Sequence, residues 1–230
     1  MTTEEKLVKV AENRAKLVEK GKKTEWNALW DGIQQNGKRR NYECAFACIW
    51  DDNTFKPKYD MMCNEKVSHI FRNSQITDLT KILEDCNVTL DVSEATNADY
   101  AFCSHSHTRL PALSWLTTNT LMCTYGYCRE LVTIGKITLK DDGTQALSST
   151  FYGLYALENV EIGGVIGQNV DFRHSTKLTH DSLMSIINAL KDYSTDTSGT
   201  VYRITLGGDN ISKLTTDELK MIEDKGWQYA

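Results

Sequence analysis

Apolar residues recur at helical spacing over the first 37 positions of the chain. One set falls on a single face of a helix over residues 4–20, and a second set, with two tryptophans, falls on a single face of a helix that ends before Gly37. Two tryptophans on one face of a helix favour packing in a core or at an oligomer interface. We interpret residues 1–37 as a helical segment for attachment or oligomerisation. Its proposed oligomerisation residues are Leu7, Ala11, Val18, Trp26 and Trp30.

Residues 38–66 show no regular apolar period and contain Pro57, so we expect an irregular connector there. From residue 67 onward a loose repeat appears. An aromatic residue is followed by a polar turn and then by an apolar pair with two residues between its members. Three clear copies and a weaker first one begin at Phe71, Phe102, Tyr125 and Phe151, at spacings of 31, 23 and 26 residues.

The apolar pairs of these copies are the part that a single unit cannot bury. They are Ile76 and Leu79, Leu110 and Leu113, Leu131 and Ile134, and Leu157 and Val160. Stacking the units would place these edges in one ladder and close the core. The spacing is close to the period of about 20–29 residues that is typical of leucine-rich repeats.

Start and stop signals are clearest in residues 178–230. Thr179 is placed to cap a helix, and Val201–Leu206 alternates like a strand. Thr215 and Glu218 form a capping-box pattern before a last helix, which Gly226 would end. We interpret this strand and helix as a cap, since an open terminal repeat would expose apolar surface.

These patterns predict an α/β fold: a short leucine-rich-repeat solenoid with irregular repeats, an N-terminal helical segment and a C-terminal strand–helix cap. The predicted divisions are the helical segment 1–37, the connector 38–66 and a repeat domain 67–230 that ends in the cap 178–230.

Composition narrows the class of partner. The 230-residue chain has a formal net charge of −5, which argues against nucleic acid as a partner. No stretch has the roughly 20 apolar residues of a membrane span, and the charged N-terminus does not resemble a secretion signal. We therefore expect a chain that is made in the cytoplasm, with its seven cysteines free and buried.

The residues also resemble a known family. Phe151–Val160 and Tyr125–Leu131 resemble BspA-like leucine-rich repeats, and Leu178–Leu190, Ile204–Gly207 and Lys213–Glu218 resemble a C-terminal module of phage and prophage tail-associated proteins. The resemblance implies adhesion or receptor recognition, with a host-surface protein or glycan and phage structural proteins as partners, possible homo-oligomers, and association with the virion. It brings no catalytic residues and no cofactor. Residues 99–128 depart from the pattern.

That departing stretch is the predicted contact surface. It is dense in Tyr, His, Arg and Thr, and aromatic residues with Arg are enriched at binding hot spots. The alternative interpretation is that its apolar members are core and its polar members are ordinary solvated faces. The predicted contact residues are Tyr100, His105, His107, Arg109, Trp115, Tyr125, Tyr127 and Arg129.

Three other functions stay open. The chain could be a structural subunit that assembles through its N-terminal helices and has no external ligand. Cys and His are natural zinc ligands, although no paired-cysteine motif anchors a site here. A Cys–His nucleophile in the same region would need a cysteine of lowered pKa. The candidate ligands are Cys103, His105, His107, Cys123 and Cys128. We predict a non-catalytic binding protein without a cofactor.

Overall fold

The computed structural model describes Lys9, Glu12, Phe46, residues 55–57 and residues 60–230. The predicted N-terminal helices, with Leu7, Ala11, Val18, Trp26 and Trp30, lie outside the described residues, apart from Lys9 and Glu12, which are helical and exposed. The described helices are α1 (Leu79–Cys86), α2 (His180–Ala189), α3 (Gly208–Ile211) and α4 (Thr216–Asp224).

In the residues that the structure describes, ten short strands form small parallel sheets. They are β1 (Met61–Met62), β2 (Leu90–Asp91), β3 (Arg109–Leu110), β4 (Leu113–Ser114), β5 (Thr133–Ile134), β6 (Ile137–Thr138), β7 (Ile162–Gly163), β8 (Val170–Asp171), β9 (Tyr202–Thr205) and β10 (Trp227–Tyr229). The sheet orders are β1-β2, β3-β5, β4-β6-β7 and β10-β9-β8, and every pairing is parallel. The architecture is a mixture of helices and small parallel sheets.

Paired strands are separated by similar lengths of chain. Met61 pairs with Leu90, Leu113 with Ile137 and Ile137 with Ile162, which are offsets of 29, 24 and 25 residues. Parallel strands need a connection of a dozen or more residues. These offsets therefore correspond to short connections that bring the chain back to the same side of the molecule. Successive segments therefore lie side by side in parallel. That they make a leucine-rich-repeat solenoid stays a prediction.

A column of stacked aromatic rings runs through the core. Neighbouring ring centroids are 4.5–5.9 Å apart and interplanar angles are 3–24°. All of these side chains are at most 1% exposed. We call this set the aromatic column, and we call the segment around each member a layer. The members are Phe46, Phe71, Phe102, Tyr125, Phe151 and Phe172.

The backbone repeats around the column. In four layers, the residues two positions before and two positions after the column residue have positive φ: His69 and Asn73, Tyr100 and Ser104, Cys123 and Tyr127, and Ser149 and Gly153. In the layer of Phe102, the N–H groups of Tyr100, Phe102 and Ser104 donate to carbonyls of the next layer at 2.8–3.0 Å. Left-handed conformation costs an L-residue roughly 1–2 kcal/mol, so these hydrogen bonds between layers offset a real strain.

The predicted apolar pairs are all in the core. Each of their eight side chains is at most 4% exposed. The core also runs further toward the N-terminus than expected. Phe46 stacks on Phe71 at 5.1 Å, and Met61 is fully buried in the same core. Residues before 67 therefore contribute to the same core, and the division at residue 67 stays a prediction.

The C-terminal elements follow their predicted signals. Thr179 caps α2, and Thr215 and Glu218 make the full capping box of α4. Helix α2 covers an edge of the layered part: the N–H groups of Val160 and Ile162 donate to the hydroxyls of Ser182 and Ser185 at 3.0 and 2.8 Å. Serine hydroxyls therefore replace the carbonyls that another layer would have supplied.

The chain ends in a strand that the sequence did not predict. Gly226 has φ 80°, and Trp227 opens β10, which pairs in parallel with β9. The Trp227 indole is buried and donates to the Lys191 carbonyl at 2.8 Å. Among the described helices, none is long and apolar enough to cross a membrane.

Candidate binding surface

The predicted contact residues separate into two groups of four. One group is buried: His105, His107, Trp115 and Tyr125. The other is partly or fully exposed: Tyr100, Arg109, Tyr127 and Arg129. The difference decides which of them can touch a partner on the folded protein.

Trp115 and Tyr125 are core residues, and their prediction as contact residues is wrong. Both are fully buried, and the Trp115 Nε1–H donates to the Tyr125 hydroxyl at 2.9 Å. Tyr125 stacks between Phe102 and Phe151 in the aromatic column. Burial raises the pKa of the Tyr125 hydroxyl, which therefore stays protonated. The indole and the hydroxyl satisfy each other inside the core, which is how buried Trp and Tyr are usually accommodated.

His105 and His107 are also buried, so their prediction as surface contacts is wrong. Their side chains are 4% and 0% exposed, and their ring centroids are 3.9 Å apart. The His107 backbone N–H donates to His105 Nδ1 at 3.0 Å. A neutral His105 ring therefore carries its proton on Nε2. Burial lowers the pKa of both rings, and that of His107 falls to about 3.

The nearest thiol to this pair belongs to Cys128. Its Sγ lies 3.4 Å from His105 Nε2 and donates to the Phe102 carbonyl at 3.0 Å. Because Nε2 already carries the proton, the ring cannot accept one from the thiol without giving up its bond at Nδ1. Burial also raises the pKa of the Cys128 thiol. A nucleophilic cysteine needs the opposite shift, so this pair is not arranged for thiol catalysis.

The other candidate ligands do not complete a metal site in the described residues. Cys103 is buried and Cys123 is half-buried. No three His, Cys, Asp or Glu side chains are arranged to hold a metal ion in the part of the chain that the structure describes. His105 has only Nε2 left to offer, because Nδ1 is occupied by a backbone N–H.

Tyr127 and Arg129 lie in a group of exposed and half-buried side chains that extends over three layers. The Tyr127 and Tyr152 rings are 5.4 Å apart, and Tyr152 meets His174 edge-on at 4.4 Å. Tyr155 lies 5.2 Å from His174, and the Arg129 guanidinium lies 5.7 Å from the Tyr155 ring centroid. We call Tyr127, Arg129, Tyr152, Tyr155 and His174 the tyrosine cluster.

The layer geometry explains why these side chains meet. Arg129 and Tyr155 are each four positions after a column residue, Tyr125 and Phe151, so they occupy equivalent places in adjacent layers. Tyr127 has φ 62°, which turns it away from the column, and it lies against Gly153 of the next layer. A Cβ at Gly153 would meet the Tyr127 Cα at 3.4 Å, an ordinary van der Waals contact, so glycine is favoured there by its φ of 77° and not by lack of space.

The two remaining predicted residues already have intramolecular partners. Tyr100 stacks on His69 at 5.2 Å, and the Arg72 guanidinium lies 5.3 Å from the Tyr100 ring centroid. Arg109 forms an ion pair with Asp78 at 3.3 Å, beside the start of α1. Tyr127 and Arg129 are therefore the predicted contact residues that belong to the tyrosine cluster.

Sequence reasoning missed Tyr152, Tyr155 and His174. Tyr152 and Tyr155 lie one and four positions after Phe151. Comparing this repeat with that of Tyr125 could therefore have placed them beside Tyr127 and Arg129. Compared with protein-family models, curated proteins and solved structures, the chain matches none of them.

Proposed function

We propose that this chain is a non-catalytic binding protein that recognises its partner through the tyrosine cluster. The observation that carries the proposal is the exposure of Tyr127 and Tyr155 within one group of contacting rings. Tyr127 and Tyr155 are each 48% exposed, although both belong to layers whose column residues are buried. Tyrosine gives a large contact area at low entropic cost, and Tyr and Arg are enriched among hot spots.

The scaffold in this proposal is a leucine-rich-repeat solenoid of the BspA-like type, with adhesion or receptor recognition at a phage tail as its role. Parallel pairing at repeated offsets supports it, as does the aromatic column. A host-surface protein or glycan is the partner that we propose. Tyrosine faces and an arginine suit either one, since both present apolar patches beside hydrogen-bonding groups.

Binding assays with matched variants test the proposal. Tyr127→Ala and Tyr155→Ala should each weaken binding to a host-surface glycan array or to intact host cells by about 10-fold or more, as expected for hot-spot residues. Leu116→Ala is the control, because Leu116 is also 48% exposed and lies outside the cluster. Leu116→Ala should leave binding unchanged.

Two results would contradict the proposal. One is wild-type protein that binds no host-surface component. The other is equal binding by wild type and both tyrosine variants. Each variant is checked by circular dichroism, so that a folding defect is not mistaken for a lost contact. The alternative role as an assembly subunit depends on Leu7, Ala11, Val18, Trp26 and Trp30, all outside the described residues.

A further inference from the structure

Two histidines, His105 and His107, lie inside the layered core, where a charged side chain is energetically unfavourable. The His107 ring lies 5.9 Å from the Phe71 ring and 6.4 Å from the Phe102 ring, and His105 lies 6.1 Å from Phe102. Both imidazoles are almost completely buried and in contact with each other. Water could not solvate either ring as a cation without separating the layers of Phe71 and Phe102.

We propose that His105 and His107 form an acid-triggered release point, at which protonation opens the contact between the layers of Phe71 and Phe102. This inference is independent of the tyrosine cluster and of the binding role. It assigns the pair a conformational role that the fold itself builds in.

The two rings resist protonation for different geometric reasons. Neither nitrogen of His107 has a partner at good hydrogen-bond geometry, and the nearby Ile76 backbone offsets less than burial costs, so its cation would be a buried charge without full compensation. His105 already accepts the His107 N–H at Nδ1, so a proton added there would face another proton. A second positive charge would then lie in contact with the first, and the two would repel each other.

The groups that face the pair do not compensate this charge. His105 faces the Cys128 thiol at 3.4 Å, and burial keeps that thiol protonated. The backbone of Ile76 is the polar group that favours a charged His107, and its effect is smaller than that of burial. No carboxylate acts on either ring among the residues that the structure describes.

The direction of the pH effect follows from these positions. Burial lowers the pKa of both rings from the ordinary 6.5, and that of His107 falls to about 3. The folded protein therefore binds fewer protons than the opened protein once the pH is below 6.5. The stabilisation is complete above pH 6.5 and is lost progressively as the pH falls toward 3.

Opening should begin beside the pair, where the charge would form, and it must break the backbone bonds between the two layers. The Phe71 and Asn73 N–H groups donate to the Ala101 and Cys103 carbonyls at 2.7 and 3.1 Å. The Ser106 N–H donates to the Ser74 carbonyl at 3.0 Å, and the Thr108 N–H donates to the Thr77 carbonyl at 2.5 Å. The exposed ion pair of Arg109 with Asp78 follows. Breaking these contacts exposes Phe71 and Phe102 and leaves the hydrogen bonds of the C-terminal elements intact.

Hydrogen exchange of the full chain at pH 7.5 and pH 5.0 tests the proposal, with rates corrected for intrinsic exchange. Each histidine held neutral should raise the opening constant about 30-fold over this interval, so the pair should raise it by two to three powers of ten. The increase should be confined to peptides that cover residues 70–78 and 101–109. Peptides from 178–230 should change much less.

Matched variants isolate the pair. His107→Phe keeps an aromatic ring against Phe71 and Phe102 and removes the titrating group. His105→Asn keeps an oxygen that can accept the His107 N–H. The double variant should lose the pH effect. His180→Asn is the control, because His180 is half-exposed and pairs with Glu218 in the C-terminal part, and it should keep the full effect.

Four carboxylates with lowered pKa do not contribute to the change over this interval. Hydrogen bonds lower the pKa of Asp142, Asp192, Asp196 and Glu218, so these groups stay ionised at pH 5.0. An increase that persists in the double variant would overturn the proposal. So would a wild-type opening constant that changes less than threefold, or equal opening across the whole chain.

A measurement on the wild type alone covers the case in which a variant does not fold. The chain has five histidines, whose ring protons can be followed by NMR between pH 7.5 and 5.0. Two of them should keep the shifts of neutral imidazole in the folded protein until new, opened-state signals appear. All five titrating smoothly near pH 6.5 within a single folded state would refute the proposal.

Discussion

The layered part of the molecule, residues 60–178, and the C-terminal part, residues 179–230, satisfy their backbone polar groups in different ways. In the layers, N–H groups donate directly to carbonyls of the next layer. In the C-terminal part, backbone pairing of β8, β9 and β10 is supplemented by one side chain that satisfies three carbonyls at the end of α2. The Lys225 ammonium donates to the carbonyls of Ile187, Asn188 and Leu190 at 2.9–3.0 Å.

This difference shows where each part is vulnerable. The layers are stabilised by apolar packing, because the aromatic column and the apolar pairs fill the space between the hydrogen-bonded backbone segments. The C-terminal part is held at a few points by polar side chains that come from distant positions in the chain, as Lys225 does for the end of α2. Loss of volume should therefore damage the layers most, and loss of a single donor should damage the C-terminal part most.

The largest expected effect is that of Phe102→Ala. Phe102 stacks between Phe71 and Tyr125 and is fully buried, so truncation leaves a cavity in the middle of the column. We expect a loss of about 3–5 kcal/mol in the free energy of unfolding, measured by urea titration. Tyr152→Ala is the control: Tyr152 is half-exposed and should cost much less. A loss below about 1 kcal/mol for Phe102→Ala would show that the column is dispensable.

Sequence patterns placed local features of both parts well. Thr179 and Thr215 cap their helices, as the start signals of residues 178–230 predict. These features depend on residues within one turn of each other. The aromatic positions Phe71, Phe102, Tyr125 and Phe151 were also found, because their spacing survives variation in the residues between them.

The exposure of single side chains in the layers could not be predicted in the same way. In a strand, Tyr125 and Tyr127 would point to the same face, since they are two positions apart. The structure buries Tyr125 and leaves Tyr127 48% exposed, because φ 62° at Tyr127 reverses its direction. The sequence predicts a polar turn after Tyr125, and Gly126 lies in it, but nothing in the sequence shows that Tyr127 itself adopts the left-handed conformation. The hydrogen bond between Trp115 and Tyr125 could not be predicted either, because it depends on how the chain folds back from one layer to the next.

The next largest effect should come from Lys225→Met. Methionine keeps most of the apolar stem but removes the ammonium that satisfies three carbonyls at the end of α2. Hydrogen bonds to charged groups are strong, so we expect a loss of about 2–3 kcal/mol in the free energy of unfolding. Lys220→Met is the control, since Lys220 pairs only with Asp224 on the exposed face of α4. Equal losses of unfolding free energy in the two variants would contradict the proposal that the Lys225 ammonium stabilises the end of α2.

Tyr125→Phe tests a polar contact inside the layers. The variant keeps the ring in the column but removes the hydroxyl that accepts the Trp115 Nε1–H. A buried donor left without an acceptor should cost about 1–2 kcal/mol, measured by thermal and urea unfolding. Tyr229→Phe, at a less buried position in β10, is the control. A neutral result for Tyr125→Phe would mean that the indole finds another acceptor and that the layers depend on shape alone.

The smallest effect should be that of Thr215→Ala in the C-terminal part. The Thr215 hydroxyl accepts the Glu218 N–H at 3.3 Å, and the Glu218 carboxylate accepts the Thr215 N–H at 2.8 Å. Removing the hydroxyl leaves one half of the capping box, so we expect a loss of about 1 kcal/mol. Thr216→Ala, one position later and without a capping role, should change stability by less than about 0.5 kcal/mol. Hydrogen exchange should place the loss in α4 and leave the layers unaffected, because their backbone bonds do not depend on this cap. If the layers opened together with α4, the two parts would unfold as one unit, and the difference between them would concern bonding alone and not local stability.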